Sequence, residues 1–129
     1  MKKSIFLWII STFVILHASE LIYPGGKVEK YTLLKQQRDL GTEGRTYIYH
    51  HQKYEDIGKI YVSFGKKVDL ESFMQKYRLQ FIKVTNPAFY TVLFKAEKGV
   101  DIIALCSDIN LHEEVRYAKP NWKRVRKLH

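Results

Sequence analysis

Beyond Gly58 the apolar positions of this chain become periodic. Ile60, Val62 and Phe64 alternate with Tyr61 and Ser63, a period of two that predicts a strand with one buried face. Leu70, Phe73, Met74 and Tyr77 then fall at i, i+3, i+4 and i+7. That spacing is one stripe of an amphipathic helix, which Asp69 is placed to cap and which ends near Arg78. Residues 79–85 and 89–96 are rich in β-branched and aromatic side chains, and Asn86-Pro87-Ala88 between them leaves room only for a hairpin connection. After Gly99 the helical spacing returns at Ile102, Leu105, Cys106 and Ile109, predicting a second helix from about Val100 to Asn110. A last strand, residues 115–118, stops at Pro120.

The predicted order over residues 59–121 is β-α-β-β-α-β. Two right-handed crossovers sharing a central hairpin give an α+β, ferredoxin-like split βαβ sandwich, with four antiparallel strands and both helices on one face. The opposite face is left open, and Tyr61 and Ser63 belong to it if Ile60, Val62 and Phe64 pack under the helices. Residues 20–58 read as an irregular, partly β N-terminal extension. Tyr23-Pro24-Gly25-Gly26-Lys27 and Gly41-Thr42-Glu43-Gly44 are turn signals there, and residues 28–34 and 45–50 have strand-like composition. In such a strand the adjacent His50 and His51 would point to opposite faces.

Residues 1–19 pattern as a secretory signal. Lys2 and Lys3 precede a run from Ile5 to Leu16 that is apolar except for Ser11 and Thr12, followed by His17-Ala18-Ser19. The run is short for a bilayer core, which takes about 20 residues. Cleavage is expected after Ala18 or Ser19, giving a secreted or periplasmic protein that meets a membrane only through an uncleaved signal. The net charge is +9. Loss of Lys2 and Lys3 leaves 9 − 2 = +7, so the basic character does not depend on the signal.

Candidate chemistry is sparse. A single cysteine, Cys106, excludes an intramolecular disulfide and a cysteine zinc site, and its place on the apolar stripe marks it for the core. No metal-ligand spacing of histidines or cysteines and no glycine-rich phosphate loop occurs, so no metal or cofactor is expected. His112-Glu113-Glu114 has no neighbouring nucleophile and reads as a solvated helix end. Ile60-Tyr61-Val62 imitates the first strand of RNA-recognition domains. The basic-Gly-aromatic signature expected on the third strand is missing from residues 86–92, which argues against nucleic acid. After Glu114 the chain carries no acid, and residues 119–129 hold five basic side chains.

Lys59-Ile60-Tyr61-Val62-Ser63-Phe64, the helix over residues 68–77 and above all Val115-Arg116-Tyr117-Ala118-Lys119-Pro120-Asn121-Trp122 resemble the N-terminal propeptide of subtilisin-family serine proteases. The resemblance covers residues 59–122. It implies a non-enzymatic protein that lays its open sheet face on the catalytic domain of a subtilisin-type protease, inhibits it or helps it fold, and places its C-terminal tail in the substrate cleft. Carried over by position, the sheet contacts are Tyr61, Ser63 and Tyr117. The exit and tail are Lys119, Asn121, Trp122, Lys123, Arg124, Val125, Arg126, Lys127, Leu128 and His129. None of the six serines, Ser4, Ser11, Ser19, Ser63, Ser72 and Ser107, lies in a nucleophile motif, so the chain is not expected to be the protease itself.

The expected division is 1–19 signal peptide, 20–58 extension, 59–121 propeptide-like domain and 122–129 basic tail. The expected partner is a protein, with no small-molecule substrate. The alternatives are a basic module for anionic surfaces or nucleic acid, and a non-functional remnant of a truncated precursor. A domain of this size without disulfides is also expected to be weakly stable alone and to gain order on its partner.

Overall fold

The computed structural model describes residues 18–35 and 45–125. The signal segment through residue 17, the turn signal at 41–44 and the last four tail residues lie outside them. The described chain is α+β, with two antiparallel sheets and two helices.

The first sheet holds β1 (Ala18–Ile22), β2 (Val28–Lys35), β3 (Thr46–Tyr49), β4 (Gln52–Glu55) and β9 (Lys123–Arg124), in the order β1-β2-β3-β4-β9. The expected irregular extension is therefore a regular meander. Gly25 and Gly26, both at φ near 90°, make the β1–β2 turn, where Tyr23 N–H donates to Lys27 O at 2.8 Å. His50 and His51 are not strand residues. Tyr49 pairs with Gln52, so the two histidines form a two-residue loop with φ of 49° and 63°. Positive φ at both central positions is the geometry whose twist matches a right-handed hairpin.

The second sheet holds β5 (Lys59–Phe64), β6 (Gln80–Asn86), β7 (Thr91–Lys95) and β8 (Val115–Pro120), in the order β6-β7-β5-β8. Helix α1 (Leu70–Tyr77) connects β5 to β6, and α2 (Ile102–Ile109) connects β7 to β8. Asp69 caps α1, its carboxylate accepting from Ser72 N–H at 3.4 Å and Ser72 Oγ at 2.8 Å. Asp101 caps α2 in the same manner, accepting from Ile103 and Ala104 N–H. Arg78 ends α1 with φ of 54°, and Leu79 N–H closes back on Met74 O at 2.8 Å.

Both helices bury their stripes on one face of the second sheet. Ile60, Val62, Phe64, Val92 and Phe94 pack with Phe73, Ile102, Ile103, Cys106 and Ile109 in a single cluster that also takes in Leu21, Tyr31 and Tyr47 of the first sheet. Cys106 is fully buried there, and burial pushes its thiol pKa well up. Helix α2 touches β8 and β5 on one side and β1 on the other, so the two sheets share a core. Polar side chains of α2 also seal the outer edge of β1. Ser107 Oγ accepts from Ile22 N–H at 3.1 Å and donates to Glu20 O at 3.2 Å, and Asn110 Nδ2 donates to Ile22 O at 2.8 Å. An edge strand satisfied in this way is closed to strand addition. Among the described residues no helix is long and apolar enough to cross a membrane.

Candidate functional site

The face of the second sheet turned away from the helices is built in rows across its four strands. One row runs Lys119, Tyr61, Leu93 and Lys83. Below it run Tyr117, Ser63, Thr91 and Asn86, and above it Lys59, Lys95 and Gln80. The alternation of β5 dictates this: Ile60 and Val62 are fully buried under the helices, which sends Lys59 and Tyr61 to the other side. Tyr61 and Tyr117 are half-buried on this face, and the Lys119 ammonium lies 5.5 Å from the Tyr117 ring centroid.

Ser63 departs from expectation. It is fully buried, and its Oγ donates to Phe89 O at 3.1 Å. The reason lies in the β6–β7 connection, which covers residues 87–90 rather than 86–88, so Phe89 and Tyr90 form the turn instead of starting β7. Tyr90 O accepts from Phe64 N–H at 3.1 Å, folding the turn over the end of β5. Phe89 is left exposed under the Arg116 guanidinium, 4.8 Å from its ring centroid. Ser63 is therefore covered by the β6–β7 turn and is not exposed on the face.

The tail leaves β8 at Pro120. Asn121 N–H donates to Lys59 O at 2.9 Å. Trp122 lies on the first sheet, its ring centroid 5.2 Å from Tyr31, 5.3 Å from Tyr47 and 6.1 Å from Tyr54. Its indole N–H is buried without a well-aligned hydrogen bond. Lys123 and Arg124 pair with Glu55 and Tyr54, and Val125 N–H donates to Lys53 O at 3.1 Å. Gln52 clamps the end of the strand, donating to Val125 O at 3.2 Å and accepting from Arg124 Nη2 at 3.0 Å. Residues 122–125 are thus folded against the chain's own first sheet, whereas the resemblance implies that the tail from Trp122 onward lies in a substrate cleft. Arg126, Lys127, Leu128 and His129 lie outside the described residues.

A cluster that sequence reasoning missed lies beside the face. Glu29 accepts hydrogen bonds from three tyrosines: Tyr23 at 2.8 Å, Tyr31 at 3.2 Å and Tyr49 at 3.2 Å. Burial, reinforced by the Glu29 carboxylate, raises the pKa of the Tyr23 and Tyr31 hydroxyls. A cavity of about 380 Å³ opens here between the β1–β2 turn and β8, lined by Tyr23, Lys27, Glu29, Arg116, Tyr117 and Lys119. Glu29 was legible only as a polar position in a charged stretch, since what selects it is the three phenols brought to it from β2, β3 and the turn.

His112 joins two charged neighbours, with Nδ1 3.1 Å from Glu114 Oε2 and Nε2 3.2 Å from Lys76 Nζ. A lysine ammonium can only donate, so this contact uses Nε2 as acceptor and leaves Nδ1–H for Glu114. The bond to His112 lowers the Glu114 pKa. The arrangement fixes the loop after α2. Among the described residues no group of three or more His, Cys, Asp and Glu side chains is placed to hold a metal ion.

Compared with protein-family models, with curated proteins and with solved structures, the chain finds no match.

Proposed function

We propose that this chain is a secreted, propeptide-like protein that binds the catalytic domain of a subtilisin-type serine protease and inhibits it or assists its folding. The observation that carries the reading is the second sheet. Its order β6-β7-β5-β8, with α1 and α2 as the two crossover helices, supports a ferredoxin-like split βαβ over residues 59–121. The sequence Val-Arg-Tyr-Ala-Lys-Pro-Asn-Trp that resembles the end of such propeptides is β8 and its exit. The sheet face would supply the docking area and the chain beyond Val125 the segment that enters the cleft by strand pairing.

The test is inhibition of a panel of purified subtilisin-type proteases by the chain and by a form ending at Val125. Removing residues 126–129 spares Trp122 and β9, so any loss reports on the cleft and not on folding. Inhibition by the full chain that weakens at least tenfold on truncation supports the reading; no inhibition across the panel sinks it. The rival reading, a binder of anionic surfaces or nucleic acid, draws on the same basic face and predicts binding to those probes instead.

A further inference from the structure

We propose that the partner surface met by the open sheet face is acidic, its carboxylates pairing with Lys59, Lys83, Lys95 and Lys119. This rests on the reading that the chain docks on a protein through that face. The register of β5, β6, β7 and β8 brings these four lysines from four strands to one surface, and no Asp or Glu occupies a register position on it. The Arg78–Glu97 ion pair and the His112–Glu114 hydrogen bond found among the described residues involve none of the four.

The arrangement is unfavourable for the free chain. Lys59 and Lys95 are direct cross-strand partners, and like charges placed directly opposite each other destabilise a sheet. An opposing set of carboxylates would relieve this repulsion on binding. The layout also matches a protein partner. Half-buried Tyr61 and buried Leu93 sit side by side at the centre of the row, with the exposed Lys119 and Lys83 at its ends, so what the row presents outward is Tyr61 and a charged rim. A nucleic-acid face calls for freely presented rings on adjacent strands. Here Tyr61 is half-buried and its neighbour on β7 is Leu93. Rim charges of one sign act mainly on the association rate and make it depend on salt.

The experiment compares the full chain with two quadruple variants of equal charge. One changes the face, Lys59→Gln, Lys83→Gln, Lys95→Gln and Lys119→Gln. The other changes the exposed Lys30, Lys53, Lys66 and Lys98 to Gln elsewhere on the surface. Association with each protease that the wild type inhibits is followed at low and at physiological salt, and binding to poly-L-glutamate, an oligo-dT strand and phosphatidylserine vesicles is measured in parallel. The face variant is expected to associate roughly tenfold or more slowly at low salt and to lose poly-L-glutamate binding, while the control keeps both. Thermal melting should show the face variant at least as stable as wild type, so the loss is not one of folding. Equal behaviour of the two variants, or association indifferent to salt, overturns the proposal. So does face-dependent binding of oligo-dT or vesicles tighter than that of poly-L-glutamate. If no protease is inhibited, the reading above has failed, and the poly-L-glutamate comparison alone decides whether the face selects carboxylates.

Discussion

Asn110 and Ala118 exchange two hydrogen bonds, Ala118 N–H donating to Asn110 Oδ1 at 2.6 Å and Asn110 Nδ2 to Ala118 O at 3.0 Å. The side chain imitates a neighbouring strand for the edge residue of β8. Its second amide hydrogen reaches Ile22 O, so one buried amide holds the end of α2, the second sheet and the first sheet together.

Replacing Asn110 by Ala should therefore be costly. It strips the buried N–H and C=O of Ala118 of partners that water cannot easily replace, and the part-buried Ile22 O of its donor, for a loss of roughly 3 kcal/mol. Urea unfolding measures it. A change below about 0.5 kcal/mol, the range of an ordinary surface substitution, would show that the two sheets do not depend on this amide.

Trp122→Ala should destabilise the chain by about 3 kcal/mol, the lower end for a large aromatic, because the ring is half-buried against Tyr31, Tyr47 and Tyr54. The same change should release Lys123 and Arg124 from β4, read as faster amide exchange at Val125. Unchanged exchange there would mean that Gln52 holds the strand without the indole.

The β3–β4 loop offers the opposite sign. Both His50 and His51 adopt positive φ, which costs a side chain with a Cβ about 1 kcal/mol or more per residue. The double change His50→Asn and His51→Gly should stabilise the fold by about 1 kcal/mol without altering any contact of the open face. A lower melting temperature would show that the imidazoles contribute beyond the turn, through contacts such as the edge-on packing of His50 on Tyr49.

Alkali should unfold the protein early. Tyr23 and Tyr31 have pKa values raised chiefly by burial and then by Glu29. A raised folded-state value means the stabilisation is complete below the ordinary tyrosine pKa of about 10 and drains away as pH climbs toward the folded value. Stability should thus fall from about pH 10 upward. The phenolate absorbance of Tyr23 and Tyr31, isolated by difference from Tyr23→Phe and Tyr31→Phe variants, should appear together with unfolding rather than before it, and Glu29→Gln should move it to lower pH. Titration of all tyrosines near pH 10 with the fold intact would contradict this.

The second sheet and its helices were readable because each apolar period there is carried by aliphatic and phenylalanine side chains. Ile60, Val62 and Phe64 are buried as the alternation requires, and the stripe residues Phe73, Ile102, Cys106 and Ile109 face the core. Asp69 also announced its helix. The first sheet was obscured by its own composition. Its inner face is built largely of tyrosines, which look amphipathic in sequence, and buried Tyr47 cannot be told from half-exposed Tyr49 by pattern. β9 is two residues long, so no periodicity exists in it to find. The four lysines of the open face were each visible, but only the bulged register of β6 on β7, with its shifts after Phe81 and Val84, puts Lys83 in the row of Tyr61. Ser63 failed because strand alternation fixes direction and not what folds over it.

β9 completes the first sheet from the far end of the described chain: Arg124 meets Gln52 across 72 residues of sequence. At a synthesis rate of about 5 to 20 residues per second, β4 is made about 4 to 14 s before its outer neighbour. β1 is likewise made before Ser107 and Asn110. The meander thus gains both of its flanks only from segments made much later, and contacts of such high sequence separation are the slow ones to form.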